Sequence, residues 1–553
     1  ADTRRDNFLN ALAGRVPGLQ VTSTSGLPGS SAQIMLRSGT SIGGNNSPLF
    51  IVDGMPVSDG GLNQEDLAQS SSTAFANRNS DYSNRIADIN PNDIESVVIL
   101  KGPEATAQYG SDGASGAIVI TTKKGAAGGT SITYNNSFSV SNVYRYPQLQ
   151  EVYTRGSDGV YDPNSYNATY GYRFFGPRYP EGTVFYDNMR NFFQTGFSQK
   201  HNVSMTAGTS LLNYRLSAGY SNTGGVVPNT SLKNFNFNIS ASAQLRQNIL
   251  LQTDFYYTNS NNDKAPKGAG SYYLNLMTYP RNIDASQYMN PDGTRKTIRN
   301  VAPSAELNNP FWDVYKNRSN DQTNNTRGTV NLRVGIAKGL SATGIVGLNT
   351  YSTNGYLVYH PYSREYYSVG GFISTYNRVF LGITGTGRLN YRFTIKDKIS
   401  NDLYAGAYFE DNQTKTNSQR GEGFYEPDFI SINNTDPTKR LATLQQTETR
   451  KMRQYAGYTF GYNNILYLTF TGTREGVSTF MSKFRNKQPF FTYGSASGSF
   501  ILSDLAPIKA GTRSWLSFAK LRASYATTGK GPYSPYIIDN SFNSTVSTGG
   551  GYS

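Results

Sequence analysis

Ile34-Met35-Leu36-Arg37-Ser38-Gly39-Thr40-Ser41-Ile42, Pro48-Leu49-Phe50-Ile51-Val52-Asp53-Gly54-Met55-Pro56-Val57 and Ile94-Glu95-Ser96-Val97-Val98-Ile99-Leu100-Lys101-Gly102-Pro103-Glu104-Ala105-Thr106-Ala107-Gln108-Tyr109-Gly110 follow one another within the stretch from Ile34 to Gly125. Leu49 to Val52, Val97 to Leu100 and Ala117 to Thr121 are apolar runs of strand length, each bounded by Gly or Pro. Asp53-Gly54 suits a tight structural hairpin turn, with Asp bonding local backbone and Gly accepting positive φ. Pro103 followed by Glu104 to Tyr109, with Gly110 as the stop, predicts a short helix. Upstream, Phe8, Leu9, Leu12 and Val16 recur at near-helical spacing within Asp6 to Val16. Pro17-Gly18 then stops the pattern before the strand-like Leu19-Gln20-Val21. A small α+β unit is therefore expected over residues 1–128.

From about Ser131 the texture changes to alternation with period two. Ile132, Tyr134, Asn136, Phe138 and Val140 begin it, and clear later cases are Phe235/Phe237/Ile239/Ala241, Val330/Leu332/Val334/Ile336, Leu403/Ala405/Ala407/Phe409 and Leu466/Leu468/Phe470. About a dozen such strands are legible. Short turns such as Arg246-Gln247-Asn248, Lys338-Gly339 and Lys396-Asp397-Lys398 alternate with long polar stretches such as Tyr144 to Lys200 and Thr258 to Arg327. Short turns at one end and long loops at the other predict a transmembrane antiparallel β-barrel over residues 129–553, with the long stretches as extracellular loops.

Composition agrees with that class. The chain has 553 residues and a mean hydropathy of −0.51, and no apolar run approaches the roughly 18 residues of a membrane helix. A membrane barrel keeps hydropathy low because lipid-facing residues alternate with polar lumen-facing ones. The 41 Tyr, 29 Phe and 56 Gly fit interfacial aromatic belts and small lumen residues. Zero Cys suits an oxidising compartment. His201 and His360 stand far apart with no Cys between them, which speaks against a transition-metal site. The formal charge of +14 is scattered, often in turns and at strand ends, so nucleic acid is not an expected partner, and the blander explanations are contact with phosphorylated outer-leaflet lipid or compensating acids expected outside this sequence.

Enzyme signatures are missing. No Gly-x-Ser-x-Gly elbow stands in a strand-turn-helix context, and Thr528-Gly529-Lys530-Gly531 lacks the upstream Gly of a phosphate-binding loop. Asp158, Asp162 and Asn164 offer calcium-type oxygens, but a solvated loop explains them as well. No catalytic residue, metal or cofactor is expected.

The three opening segments, in their order, resemble the SusC/RagA family of TonB-dependent outer-membrane transporters. So do Leu12 to Val21, Asn90-Pro91-Asn92-Asp93-Ile94-Glu95 and Lys101 to Gly125, followed by Asn309-Pro310-Phe311-Trp312, Arg474 to Phe480 and Trp515 to Tyr525. Ser38 interrupts the family's usual Arg-Gly pair, and Glu475 stands where Asp is usual. The resemblance implies that residues 1–128 are a plug in the lumen of the barrel. Its motif residues would be Arg37, Gly39, Pro48, Asp53, Gly54, Lys101, Gly102, Tyr109, Gly110 and Gly116. It also implies a barrel of about 22 strands when complete, so about ten strands, a signal peptide, an N-terminal β domain and a TonB box are expected outside this sequence. The N-terminal Ala-Asp-Thr-Arg-Arg-Asp, which lacks an apolar signal core, accords with a mature or trimmed chain.

A plug arginine in a lumen needs a carboxylate or backbone acceptors. Arg37 is expected either to form a releasable lock with Glu410 or Glu475, both read at strand ends, or to bind plug backbone. Loop tyrosines Tyr272, Tyr273, Tyr356 and Tyr366 are candidates to face ligand by stacking, although Tyr is equally expected at membrane interfaces.

The expected function is TonB-dependent import of a large nutrient, oligosaccharide or peptide, across the cell outer membrane. Its partners would be a SusD-like surface lipoprotein lid and TonB with its inner-membrane motor, with transporter–lid pairs able to dimerise. The alternative is a transporter-like barrel serving as a structural subunit of a secretion, motility or adhesion assembly. A secreted β-rich adhesin ranks last, having no need of plug motifs.

Overall fold

Apolar runs bounded by turn residues and long period-two segments dictate two different β structures. The computed structural model describes residues 8–23, 25–36, 46–57, 85–100, 109–167, 171–266, 271–481, 490–505, 518–527 and 529. Arg37, Gly39, Lys101, Gly102 and the segment 103–108 lie outside them.

The first structure is a small sheet. Strands β1 (Leu19–Ser23) and β2 (Ala32–Leu36) form an antiparallel pair. Strands β3 (Leu49–Val52), β4 (Met55–Val57), β5 (Ile94–Leu100) and β6 (Ala117–Thr122) form a four-stranded sheet in the order β4-β3-β6-β5, with β3 and β6 parallel. Asp53 at φ 50° and Gly54 at φ 86° make the β3–β4 turn, as a two-residue hairpin with positive φ at both centres requires. Leu9, Ile34, Phe50, Val52, Met55, Ile86, Ile118 and Ile120 are buried together between these elements.

One local expectation is corrected. The expected helix over Asp6 to Val16 is, among the described residues, a single 3-10 turn over Phe8–Ala11, because Gly14, at φ 73°, and Pro17 leave too little chain to pay for helix nucleation. At Gly110 the backbone turns left-handed, φ 69°, as the expected helix stop requires. A separate 3-10 segment runs over Gly110–Ser115 and ends at Gly116, φ 88°, where a β-carbon would fall 2.9 Å from the Leu100 carbonyl oxygen.

The second structure is one long antiparallel wall. Strand β7 (Gly128–Ser141) opens it, and the first long connection carries the short strands β8 (Gly156–Ser157), β9 (Val160–Tyr161), β10 (Tyr166–Asn167) and β11 (Gly171–Tyr172). The wall resumes with β12 (Gly196–Gly208), β13 (Leu212–Gly224), β14 (Ser231–Arg246), β15 (Ile249–Lys264), β16 (Arg318–Ala337) and β17 (Leu340–Tyr359). It continues with β18 (Phe372–Ile395), β19 (Ile399–Glu422), β20 (Leu441–Tyr462), β21 (Leu466–Val477), β22 (Phe490–Ile501) and β23 (Lys520–Ala526). Among the described residues thirteen strands pair in the order β7-β12-β13 and then consecutively to β23, close to the dozen legible in the sequence.

The register aligns the alternation across strands. Val346 lies opposite Val330 and Gly385, and Phe409 opposite Gly385 and Met452. Val346, Phe409 and Phe470 are all substantially exposed on the outer face, while Asn236, Asn238, Ser240, Tyr256 and Arg327 of the inner face are buried. An exposed apolar band backed by a buried polar face is the lipid-facing pattern of a membrane barrel. Strands β18 and β19 run 24 residues, so even tilted they outrun a hydrocarbon layer of about 30 Å. The short turns lie at one end, with Lys396, Asp397, Asn463 and Asn464 all at positive φ, and that end is periplasmic in such barrels.

At the other end the long connections fold on one another. Helices α1 (Asn188–Phe192), α2 (Tyr272–Thr278) and α3 (Pro310–Tyr315) bury Met189, Phe192, Leu276, Tyr279, Phe311 and Val314 in one cluster. Leu27, from the β1–β2 connection, joins that cluster. The small sheet is thus pinned from above by the loops and enclosed by the wall.

Candidate functional site

The polar contacts between the small sheet and the wall gather in two places. On strands β13 to β15, Arg215 Nη1 meets Asp93 Oδ1 at 2.7 Å with both side chains buried. Asn90 Nδ2 donates to Asn236 Oδ1 at 2.9 Å, and the Tyr256 hydroxyl donates to the Asp88 carbonyl. Lys124 Nζ bridges Asp53 at 3.1 Å and Asp254 at 2.6 Å. Asp53 also accepts from the Thr122 N–H at 3.0 Å and its hydroxyl at 2.8 Å, so this turn residue both shapes its hairpin and joins the chain of charge that reaches the wall.

On strands β20 and β21 the second cluster forms. Glu475 accepts from the Ser111 N–H at 2.7 Å and from Ser111 Oγ at 3.1 Å, and Lys451 pairs with Asp112. Gly110 permits this approach, since a β-carbon there would stand 2.5 Å from Glu475 Oε2. Glu410, the other expected lock acid, accepts from Tyr408 and Asn412 of its own strand. It lies in the middle of β19 rather than at its end, because that strand is far longer than the bilayer requires. The Arg37 half of the expected lock lies outside the described residues.

Below the small sheet, toward the short turns, a cavity of about 1050 Å³ separates it from the wall. Gly54, Pro56 and Tyr109 roof it, and Arg333, Arg388, Arg453, Tyr404, Tyr408 and Tyr455 are among its wall residues. Pro48 leads into β3 on the opposite side of the hairpin from this void.

The extracellular end is a buried polar network. Asp313 accepts from Asn275 at 2.6 Å, Asn308 at 2.8 Å and Asn317 at 3.1 Å. Burial, reinforced by the neighbouring Glu365 charge, holds the Asp313 carboxyl well above its ordinary range. His360 packs edge-on against Trp312, and its Nε2 lies 3.5 Å from Asp428, which also takes Lys316 Nζ at 2.7 Å. Burial pushes His360 down to about 4. Of the tyrosines singled out in the sequence, Tyr272 stacks on Phe192 at 5.5 Å within the loop core, and Tyr366 stacks on Phe372 at 4.5 Å. Tyr273 is exposed and Tyr356 half-buried.

Sequence reasoning missed Arg215, Lys124, Asp254, Lys451, Asp93 and Asp112. The available signal was phase. Arg215, Asp254 and Lys451 are charged residues at inward positions of strands whose outward positions are apolar, and a lumen charge requires a partner.

An apolar-banded antiparallel wall enclosing a small, polar-seated sheet defines a plugged outer-membrane β-barrel. Residues 1–117 match the family described as TonB-dependent Receptor Plug Domain. The TonB-dependent receptor SusC of Bacteroides thetaiotaomicron is 29% identical over 57% of this chain and 29% of its own length. TonB-dependent receptor P26 of Formosa agariphila is 24% identical over 95% of this chain and 50% of its own. Among solved structures, the RagAB peptide importer in its closed-closed state superimposes with a TM-score of 0.76 at 20% identity, covering 96% of this chain and 59% of that one. The chain therefore carries a TonB-dependent receptor plug over residues 1–117, is similar along its length to SusC/RagA-type TonB-dependent receptors, and has the architecture of an outer-membrane protein. It spans half the length, or less, of the curated relatives described here.

Proposed function

We propose that the protein of which this chain is part imports a large nutrient across the outer membrane, driven by TonB. The plug closes the lumen until it is displaced. The observation that supports import is the character of the plug's seat: it is held by discrete ion pairs and hydrogen bonds at Asp93, Lys124, Ser111 and Asp112, which exchange readily for water. A structural subunit would be expected to cement its plug with apolar packing.

An oligosaccharide or a peptide is the cargo in this proposal, the latter supported by the name of the RagAB peptide importer. A SusD-like lipoprotein would cap the extracellular loops, whose outer surface exposes Tyr144, Phe175, Tyr425 and Phe429; pairs of such complexes would then form the dimer. Tyr273 and Tyr356 are the better placed of the four singled-out tyrosines to meet cargo, being less engaged in the loop core.

The chain has no Cys, so a plug tether meets no competing thiol within it. Cysteines placed at Ser111 and Glu475 and bridged by a short thiol cross-linker should stop TonB-dependent uptake of labelled oligosaccharide or peptide by cells. The same cells before cross-linking are the control. Uptake that survives tethering would remove plug displacement, and with it this mode of import.

A further inference from the structure

Among the described residues four arginines line the cavity between plug and wall, Arg333, Arg388, Arg392 and Arg453, against one carboxylate, Asp402. Arg392 already takes that carboxylate at 2.5 Å. Among the described residues the other three make no ion pair, and the Nε atoms of Arg388 and Arg453 are buried without a hydrogen-bond acceptor. Arg453 is 5% exposed. A buried N–H donor without an acceptor is costly, so two such Nε atoms on one cavity wall point to an acceptor that arrives.

The wall is shaped to present these groups. Arg388 lies over the Tyr404 ring at 4.1 Å, and Arg453 over the Tyr408 ring at 4.5 Å. Stacking occupies the flat face of a guanidinium and leaves its N–H edge free for in-plane, two-pronged bonding to a carboxylate. Glycines make the stacking possible. A β-carbon at Gly406 would fall 2.6 Å from the Tyr455 ring, and one at Gly457 would collide with the Tyr404 ring. Both rings therefore lie across the neighbouring strand, and Thr386 Oγ1 and the Tyr455 hydroxyl fix the arrangement at 3.2 Å. Glu475, opposite Arg453 in the register, is engaged by Ser111 of the plug.

We propose that Arg388 and Arg453, supported by Arg333, form a carboxylate-reading site on the periplasm-side wall of the lumen, and that the transported cargo is an acidic oligomer. This rests on the import reading above. The site would draw the leading acidic unit of a cargo past the displaced plug, and the charge-assisted bonds act only where water is partly excluded. Acidic peptides and uronic-acid oligosaccharides both present the required carboxylate.

The test is equilibrium binding to the purified full-length protein in detergent, where the periplasmic mouth is open to solvent. Triglutamate is compared with triglutamine, and trigalacturonate with trigalactose, by titration calorimetry. The acidic member of at least one pair should bind about tenfold or more tighter than its neutral analogue, and the preference should shrink in high salt. The pair that shows it identifies the source of the carboxylate. Arg388→Gln and Arg333→Gln should each cut the preference severalfold, and Arg388→Lys should restore only part of it. Arg388→Gln retains the stacking volume and guards against loss of fold at the more buried Arg453. Equal binding of acidic and neutral probes, or a preference untouched by Arg388→Gln, overturns the proposal. Binding needs no TonB, so a failed uptake assay with an intact acidic preference would count against import and not against the site.

Discussion

Glu475 of the barrel wall lies close against Gly110 of the plug: a β-carbon at position 110 would stand 2.5 Å from Glu475 Oε2, so the carboxylate would have to shift, and the backbone there sits at φ 69°. The side-chain-free residue lets the next N–H, that of Ser111, reach the carboxylate at 2.7 Å.

Gly110→Ala should therefore loosen the plug. The left-handed backbone alone costs a non-glycine residue about 1–2 kcal/mol, and the clash adds to it. Ion leak through the full-length protein in planar bilayers should rise. Glu475→Ala in the same chain should recover part of the closure by removing the clash, and an unchanged leak in Gly110→Ala would show that this contact does not seat the plug.

Two ion pairs in this protein should behave oppositely. Arg215 and Asp93 are 5% and 1% exposed, whereas Arg392 and Asp402 are 76% and 33% exposed. Asp93→Asn strands a buried guanidinium and is expected to destabilise by about 3–5 kcal/mol. Asp402→Asn should cost about 0–1 kcal/mol. Thermal unfolding of the two variants side by side decides the ranking.

Much of this architecture was legible in the sequence, and the reasons are physical. Period two is imposed by strand geometry itself, so the alternation through Val330, Phe409 and Phe470 marks the outer face in the sequence alone. Asp53-Gly54 was readable because few dipeptides adopt two positive φ values. Glu475 was readable as a lumen acid facing the plug, but Ser111 as its partner was not, because a backbone N–H and a common serine hydroxyl carry no signature beyond the neighbouring glycine. Tyr272 was ambiguous for another reason. An aromatic in a polar loop packs equally well on sugar or on Phe192, and only the fold of α1 against α2 places it in the loop core.

The outer face gives a sharp contrast. Phe409→Arg places a charge on the lipid side, expected to cost about 2–4 kcal/mol near the bilayer midplane and less toward either edge. Thr386→Arg, on the lumen side and next to the cavity, should leave the barrel folded. Heat-modifiable mobility of the two proteins on gels is the measurement, and equal loss of the folded band in both would contradict the assignment of faces.

His360 should make the loop roof acid-sensitive. Its surroundings include Trp312, Asn317, Tyr362, Lys316 and Asp428: the Trp312 ring covers it, Asn317 Oδ1 accepts its backbone N–H at 3.1 Å, its Nδ1 accepts from the Tyr362 N–H at 3.2 Å, and Asp428 is shared with Lys316. Burial is the largest influence and lowers its proton affinity from the ordinary 6.5 to about 4, with Lys316 acting in the same sense and Asp428 opposing both. Between those values the unfolded loop binds the proton and the folded one does not, so stability is full above about pH 6.5 and falls as the pH drops toward 4. Amide exchange in residues 310–317 and 360–371 should accelerate from pH 7 to pH 4.5 once corrected for intrinsic rates. In His360→Gln that acceleration should largely vanish, and an equal acceleration in the variant would assign the acid sensitivity to the neighbouring carboxylates instead.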